Sequence, residues 1–579
     1  MARRLSAAAA VTAVVALGLA GCGSPSSNNS QKSDGDSGKI ETQTTSIDPN
    51  AKGPAPAVEG ARNGGVLTVY AQVTPNTFDP TDTYYTDSLA IGRLLYRTPT
   101  QNAIRDGKSV LVPDLTDVGT VSSDKLTWTF KLQPGIKYED GSEIKVDDLA
   151  YAIKRSFAPD YANGPKYQLT YFKDGDKYKG PYTGGDSFAG VETQGTDTLI
   201  IHLSKPFSDL PYYMTFPVFS PIPKAKDTKA DYKNKPIASG PYKIDSYTPG
   251  VELKVSKNTN WDTNTDPVRH QYLDGYDFKW GADAVKTQQQ VLNSNGPDAN
   301  SVSYDQLDSS FVPQVTGDKK AQLVTGESPC TYSWQMDTTK IPLEVRKAIA
   351  KAWPYDQLYK AAGLSDLVAE RASTVMPPGV PGYEKYAPVT DLSGSGTGDP
   401  AGAKAMLEAA GKTGFEVSWY FDSSKPISQQ VAQVKKAALE AAGFKAKPIG
   451  VTTAELRTKI SDYKAPVNMS QGPQGWCSDW PSGGSWFPVL FQSHSVADQT
   501  SWGMMQDPAV DKQIDDVAAL PAEEATSKWA AIDKAMMEKY VAIPYYYTKE
   551  AVVAGTNVGG ATIDPAAGTY AYNNFFLKS

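Results

Sequence analysis

The sequence has little cysteine and little histidine for its length. Only 3 Cys and 3 His occur among 579 residues. Three cysteines are too few for a disulfide scaffold or a four-cysteine zinc site. His202, His270 and His494 are far apart in the sequence, which disfavours a histidine-rich metal site. No metal and no cofactor is therefore expected.

Basic residues are also too few for a nucleic-acid-binding surface. Lys and Arg total 57 against 64 Asp and Glu, a net charge of −7. Binding to phosphates needs a basic surface, so no nucleic acid partner is expected. Hydrophobic residues make up 40% of the sequence, which is enough for a packed core. Beyond the N-terminus, no apolar run is long enough to span a bilayer.

The N-terminus has the pattern of a bacterial lipoprotein signal. Arg3 and Arg4 precede an apolar run over residues 5–19, which is the length of a signal-peptide core. The run ends in Leu19-Ala20-Gly21-Cys22, which resembles a lipobox. We therefore expect a signal peptide over 1–21, lipidation of Cys22, and anchoring to the outer face of the cell membrane. The alternative is an ordinary secretory signal with an unrelated cysteine.

The segment that follows the lipobox is expected to be unfolded. Residues 23–62 contain no aromatic side chain and are rich in Ser, Gly, Asn, Asp, Thr and Pro. Such a composition cannot bury enough apolar surface to fold. The sequence predicts a lipidated flexible tether over 22–62, with an r.m.s. reach of roughly 35 Å.

The second half of the sequence alternates strands and helices. This β-α-β-α-β order predicts a parallel sheet, and ligands bind beyond the carboxyl ends of such strands. The loop Gly475–Pro481 follows the last predicted strand and is the first candidate for a binding site. The predicted elements are strands over 415–420, 445–451 and 466–471, and helices over 427–442 and 454–460.

Several short motifs, spread over some 500 residues, resemble one known family. In this order, behind a lipobox, they resemble the family 5 solute-binding proteins of the peptide/nickel class. These are receptors of ABC importers, and the oligopeptide-binding branch is the most similar. The motifs are Gly64–Val69, Phe78–Pro80, Leu126–Tyr138 with Asp140-Gly141, Gly240–Lys243, Asn258–Trp261, Val345–Ile349, Gly475–Asp479 and Ile543–Tyr547.

The resemblance implies an α/β fold of the three-lobed, type II periplasmic-binding-protein class. Lobe I would comprise 63–106, 229–330 and 548–579, lobe II 107–228, and lobe III 331–547. Lobes I and III would close over the ligand by a hinge. The implied function is that of a lipid-anchored, monomeric receptor that captures oligopeptides and delivers them to the transmembrane subunits of an ABC permease. No enzymatic activity is expected.

The resemblance also implies the residues of the binding site. Asp479 would pair with the α-ammonium of the peptide, and the backbone of Gly475 and Cys477 would pair with the extended peptide. The alternative for Asp479 is that it caps a turn. Trp476 and Trp480 would either wall side-chain pockets or pack in the core, and Thr86 would contribute a contact from lobe I. Cys330, which opens a Cys-Thr-Tyr segment, would form a disulfide with Cys477.

One position departs from the family pattern. Oligopeptide receptors often have an arginine two residues before the glycine that matches Gly475, where it meets the peptide carboxylate. Here that residue is Pro473, so the preferred peptide length stays open. Arg371 and Lys464 are possible substitutes.

Two alternatives remain for the function. The first is a member of the same family that binds an oligosaccharide, nickel or haem. The second is a secreted penicillin-recognising serine enzyme, whose chemistry needs a serine that opens a helix and a Lys-Thr-Gly strand beside it. The matching segments are Ser122–Lys125, Ser256–Asn258 and Lys412–Gly414, but Ser122 is predicted to lie in a turn.

Overall fold

A computed structural model describes residues 42–385, 396–472, 474–498 and 500–579. The predicted signal peptide, Cys22 and the first half of the predicted tether lie outside these ranges. Within them, no helix has both the length and the apolar character needed to cross a membrane.

The strands of the described residues belong to one large sheet and several small ones. They are β1 (Thr42–Ile47), β2 (Val66–Ala71), β3 (Thr100–Arg105), β4 (Lys108–Pro113), β5 (Thr120–Val121), β6 (Thr127–Lys131), β7 (Val191–Gln194), β8 (Thr198–His202), β9 (Tyr242–Thr248), β10 (Glu252–Lys257), β11 (Gly275–Trp280), β12 (Ser301–Ser303), β13 (Leu323–Gln335), β14 (Ala369–Arg371), β15 (Glu416–Asp422), β16 (Lys445–Val451), β17 (Gly475–Cys477), β18 (Ala542–Ala554), β19 (Val558–Gly559), β20 (Ile563–Asp564), β21 (Thr569–Tyr570) and β22 (Phe576–Leu577).

The helices lie between these strands and cover the sheets. They are α1 (Thr86–Leu95), α2 (Val146–Arg155), α3 (Tyr167–Tyr171), α4 (Leu210–Tyr213), α5 (Ala284–Asn293), α6 (Val312–Val315), α7 (Leu343–Lys351), α8 (Tyr355–Ala361), α9 (Pro400–Ala409), α10 (Pro426–Ala441), α11 (Thr453–Ser461), α12 (Phe487–Phe491), α13 (Pro508–Ala518) and α14 (Ala522–Glu538).

The large sheet has the strand order β17-β13-β18-β12-β2-β11-β10-β9, with β14 also paired to β18. Leu67, Val69 and Ala71 of β2 alternate with less buried neighbours and point into the core. This is the period of two that a half-buried strand requires. The chain after β2 then enters α1, whose Leu94 and Leu95 are fully buried against the same core. Helix α1 is thereby packed against the large sheet.

The longest strand pair in the large sheet is β13 with β18. It runs antiparallel from Leu323↔Val553 to Gln335↔Ala542. Its register shifts between Glu327 and Thr331, around Pro329, which has no N–H to donate to a ladder. Beyond this shift, β17 adds to the free side of β13 and becomes the edge strand of the sheet.

The four-stranded sheet has the order β5-β6-β8-β7 and lies within predicted lobe II. Trp128 and Phe130 of β6 point into its core, as the alternating sequence predicts. Helix α2 packs on this sheet, and α3 presents Tyr167 and Tyr171 to the same core. This core positions the side of α3 that contributes to the site.

One strand prediction was wrong. Strands β15 and β16 pair in parallel as expected, but residues 466–471 form no third strand beside them. Instead, the Asn468 side chain accepts a hydrogen bond from the Ser418 backbone at 2.8 Å, and the Met469 N–H donates to the Ser418 carbonyl at 3.1 Å. These contacts hold the segment beside β15 without forming a strand ladder.

The predicted tether must also be corrected for residues 42–62. Strand β1 pairs in parallel with β4, and Gln43 is buried with its amide donating to the Pro565 carbonyl at 2.8 Å. Further along, the Ala55 N–H donates to the Asp266 carbonyl at 3.0 Å. The composition argument considered only the burial of apolar side chains, whereas this segment is held by backbone pairing and by polar side chains such as Gln43. Residues 22–41 of the predicted tether lie outside the described residues.

The lobe boundaries stay a prediction, with one detail added by the structure. The boundary between residues 106 and 107 falls in the turn that joins β3 and β4. These two strands pair over their whole length, from Thr100↔Pro113 to Arg105↔Lys108. The hairpin is thus one unit that the predicted boundary divides.

Candidate ligand-binding site

The candidate site is built around the loop that follows β17. Strand β17 pairs with β13, and Cys477 forms a disulfide with Cys330, the pairing that the resemblance implied. The next residue, Ser478, donates its backbone N–H to the Pro329 carbonyl at 2.8 Å. Asp479 therefore directly follows a segment that a disulfide and hydrogen bonds attach to the large sheet.

Gly475 begins this strand for a steric reason. A Cβ atom at this position would lie 3.1 Å from the ring of Tyr332, its partner across the strand pair. Such a contact is tighter than ordinary van der Waals packing. The absence of a side chain thus lets β17 approach β13 closely.

The Asp479 carboxylate accepts hydrogen bonds from two tyrosines. The Tyr84 hydroxyl donates to its Oδ2 at 2.6 Å, and the Tyr167 hydroxyl donates to the same oxygen. Tyr84 lies just before α1, and Tyr167 is the first residue of α3. The carboxylate therefore joins segments of all three predicted lobes.

No positively charged side chain among the described residues pairs with Asp479. Burial raises the pKa of its carboxyl to about 7, while the hydrogen bonds from Tyr167 and Tyr84 act in the lowering direction. Asp479 is half-buried, and such a carboxylate with only neutral donors is stabilised when a cation binds beside it. The arrangement is therefore suited to an ammonium group.

Tyr84 and Tyr167 line a cavity of about 390 Å³ as well as bonding to Asp479. Asp479 does not line this cavity; it lines a smaller space of about 40 Å³, together with Leu89, Phe216 and Arg93. The wall of the larger cavity consists of Tyr84, Tyr85, Ala162, Asn163, Gly164, Lys166, Tyr167, Leu169, Thr170, Tyr171, Trp476, Pro488, Val489, His494, Asp498 and Thr500.

The predicted residues Trp476 and Cys477 lie where a ligand can reach them. The Trp476 indole N–H donates to the Ser485 carbonyl at 2.9 Å, and the residue lines the larger cavity. Cys477 is exposed on β17. Because β17 pairs only with β13 among the described strands, its outer backbone edge is open to an added strand.

Trp480 packs in the core and does not line the cavity beside Tyr167. It is 1% exposed and belongs to the core of the four-stranded sheet. Its indole N–H donates to Asp209 at 2.8 Å, and its ring packs edge-on against Tyr167, with the ring centroids 4.7 Å apart. A buried indole needs such an acceptor. Trp480 therefore anchors the residue next to Asp479.

Thr86, predicted as a lobe I contact, is the half-buried first residue of α1. The side chain from this region that reaches Asp479 is Tyr84, two residues earlier. Sequence reasoning missed Tyr84 and Tyr167. Tyr84-Tyr85 stand just before the apolar, helically spaced residues of α1, which is a usable signal. Tyr167 lies in a tyrosine-rich stretch that has no such signal.

Neither proposed substitute for the missing arginine lies at this cavity. Arg371 is on β14 and stacks on the Tyr355 ring, with its guanidinium carbon 4.2 Å from the ring centroid. It lines a different cavity, together with Asp356 and Lys549. Lys464 is exposed. Pro473 lies outside the described residues.

The three segments of the serine-enzyme alternative lie on separate parts of the fold. Ser122 is in the turn between β5 and β6, where its hydroxyl donates to Asp124 at 2.5 Å. Ser256 is on β10 of the large sheet, and Lys412 follows α9. Since Ser122 does not open a helix, the geometry that this chemistry requires is missing.

The fold class defined by these sheets is that of the type II periplasmic peptide-binding proteins. The clavulanic acid biosynthesis oligopeptide binding protein 2 superposes with a TM-score of 0.80 and 25% identity, covering 91% of this chain and 99% of that one. The murein tripeptide binding protein of Escherichia coli superposes with a TM-score of 0.71 and 18% identity, covering 90% and 99%. The predicted fold class is confirmed.

The chain belongs to the bacterial extracellular solute-binding proteins, family 5, whose model matches residues 110–497. Its relatives include the glutathione-binding protein of Escherichia coli strain K12. The two are 24% identical over 519 residues, which cover 85% of this chain and 91% of the relative. The predicted resemblance is confirmed, and these relatives are binding proteins rather than enzymes.

Proposed function

We propose that the protein is the lipid-anchored, peptide-binding component of an ABC importer, and that Asp479 binds the α-ammonium of its ligand. The observation that supports this most directly is the Asp479 carboxylate, which is bonded to two tyrosine hydroxyls and to no cation of the described residues. A ligand ammonium beside it would stabilise its charge.

The surroundings of Asp479 suit a peptide more than a simple amine. The open edge of β17 offers backbone donors and acceptors to an extended chain, and such pairing tolerates any side chain. The cavity of about 390 Å³ offers a mostly apolar space for a side chain or a neighbouring residue. The names of the relatives, which include an oligopeptide-binding and a glutathione-binding protein, support the same class of ligand.

Native mass spectrometry of the purified, unheated protein tests this proposal. We expect a co-purifying mixture of short peptides, each with a free α-amino group. A bound oligosaccharide, haem or metal ion in place of peptides would contradict it. Glutathione has a free α-ammonium and belongs in the first set of added ligands.

The affinity for a peptide is expected to fall in acid. Only the ionised carboxylate attracts the ammonium, and the pKa of Asp479 without ligand is about 7. Lowering the pH protonates Asp479, so binding should weaken by roughly 30- to 50-fold between pH 7 and pH 5. Titration calorimetry across this range measures the effect. Asp479→Asn should lose this pH dependence, and an unchanged slope in that variant would contradict the assignment.

Anchoring is expected to depend on Cys22. A Cys22→Ala protein should be released from the membrane, because the lipobox then lacks the thiol that receives lipid. One lipid chain binds a membrane only weakly, so the native cysteine is expected to carry at least two. Fractionation after a high-salt wash, with Ser24→Ala as a control, measures this. Retention of the Cys22→Ala protein on membranes would refute lipid anchoring.

A further inference from the structure

Arg155, the last residue of α2, is buried between two loops that lead into the candidate site. Its guanidinium donates two hydrogen bonds to the Asp79 carboxylate, at 2.6 and 2.7 Å, and one to the Thr81 hydroxyl at 2.5 Å. The guanidinium carbon also lies 4.0 Å from the centroid of the Tyr161 ring. Arg155 therefore contacts the loop before α1 and the loop before α3 at the same time.

The loop before α1 is folded around Asp79. The Thr81 N–H donates to the Asp79 carboxylate at 2.9 Å, and the Thr83 hydroxyl donates to the Asp79 carbonyl at 2.8 Å. Tyr84 follows Thr83 directly, and its hydroxyl donates to Asp479 at 2.6 Å. The position of this hydroxyl thus depends on how Asp79 is held.

The two loops also bind each other. The two carboxylate oxygens of Asp82 accept hydrogen bonds from the backbone and the side chain of Asn163, each at 2.9 Å. Gly164 lies so close to the first loop that a Cβ atom there would be 2.3 Å from the Thr81 carbonyl oxygen. The second loop leads into Tyr167, the first residue of α3. Both tyrosine partners of the site are therefore attached to one pair of interlocked loops.

The contacts of Arg155 need the geometry of an arginine. Its Nε donates to the Tyr182 hydroxyl at 2.9 Å and to the Asp227 carboxylate at 3.2 Å, in addition to the bonds with Asp79. A guanidinium offers five N–H donors in a fixed plane, whereas a lysine ammonium offers three donors and no plane. A lysine at this position cannot reproduce the paired bonds to Asp79 together with the remaining contacts.

We propose that Arg155 is a positioning residue of the binding site, which holds the two loops so that the hydroxyls of Tyr84 and Tyr167 reach Asp479 together. This rests on the proposed function, because it assumes that Asp479 binds the ligand ammonium. The two hydroxyls favour the ionised carboxylate, which is the form that attracts a cation. Arg155 acts through them, since it lines neither the 390 Å³ cavity nor the smaller space beside Asp479.

The first measurement needs no ligand. The pKa of Asp479 is followed by carboxyl-carbon NMR of aspartate-labelled protein, with the signal assigned by its loss in Asp479→Asn. In Arg155→Lys this pKa should rise above its native value of about 7, because hydrogen bonds that act in the lowering direction are lost. Arg97→Lys is the matched control and should leave the pKa unchanged. Arg97 is equally buried and also bonds to an aspartate and a threonine, Asp114 and Thr265.

The second measurement is titration calorimetry with tri-alanine at pH 7. Arg155→Lys should weaken binding by about 5- to 50-fold, because a smaller fraction of Asp479 is ionised. Arg97→Lys should bind like the native protein. In a Tyr84→Phe/Tyr167→Phe background, Arg155→Lys should change the affinity by less than threefold, because the hydroxyls through which it acts are absent.

Urea unfolding verifies that each variant is folded. If Arg155→Lys is not, Asp79→Asn/Arg155→Met takes its place, because it removes both buried charges together, and the same results are expected. An unchanged pKa of Asp479, or an effect on binding that simply adds to that of the tyrosine replacements, would overturn the inference and leave the proposed function standing. A native protein that binds no peptide with a free α-amino group would contradict the proposed function, while the pKa of Asp479 would still decide the role of Arg155.

Discussion

Replacement of Asp479 by Asn is expected to weaken peptide binding by about 30- to 5,000-fold. The variant keeps the shape of the side chain and removes its charge, so the ligand ammonium would be left in a closed site without a partner. The loss of one member of a buried charge pair costs on the order of 2–5 kcal/mol, which corresponds to this range of affinities.

The loss of binding should not come from unfolding. An amide oxygen can still accept hydrogen bonds from Tyr84 and Tyr167. The folded pKa of Asp479 is about 7, above its ordinary value of 3.8, so the ionised form destabilises the folded protein at high pH. The Asn variant lacks that cost and should be at least as stable as the native protein above pH 7.

Acetylation of the peptide makes this test specific. An N-acetyl group should weaken binding to the native protein by a similar factor, and should hardly affect binding to Asp479→Asn. The two changes remove the same interaction, so their effects must not add. The control is Asp516→Asn, which removes an exposed carboxylate that pairs with Lys512 on α13. If the penalties of mutation and acetylation add, Asp479 is not the partner of the amine.

The family and the fold class could be predicted from the sequence because their signals are distributed. Motifs such as Leu126–Tyr138 combine strand alternation with turn residues, and they occur one after another over some 500 residues. The same resemblance singled out Asp479, whose role in binding stays a prediction.

The partners of Asp479 could not be predicted, because they depend on how distant segments pack. Tyr84 and Tyr167 are 395 and 312 residues away from it in the sequence. The burial of Trp480 likewise depends on Asp209, 271 residues earlier. The prediction that residues 42–62 are unfolded failed for another reason. The backbone hydrogen bonds between β1 and β4 leave no signature in composition.

The second large effect is expected from the Cys330–Cys477 disulfide. The bridge joins residues 147 positions apart, at the point where β17 pairs with β13. In the chain-entropy model, closing a loop of this length stabilises the folded protein by on the order of 5 kcal/mol. A form comprising residues 23–579 has no third cysteine and suits the measurement. Thiol labelling of this form, denatured without reductant, should find no free thiol.

A Cys330→Ser/Cys477→Ser double variant should unfold at a markedly lower urea concentration, and reduced native protein should behave in the same way. The bridge also holds the edge strand that leads into Asp479, so the backbone amides of Gly475–Cys477 should exchange with solvent faster in the double variant. Single variants control for the loss of each side chain, since each breaks the bridge while keeping one cysteine. Because β17 presents the open edge and leads into Asp479, we expect the double variant to bind peptide more weakly yet still to discriminate against the acetylated form. Unchanged unfolding and unchanged exchange in the double variant would show that the strand pairing alone fixes the site loop.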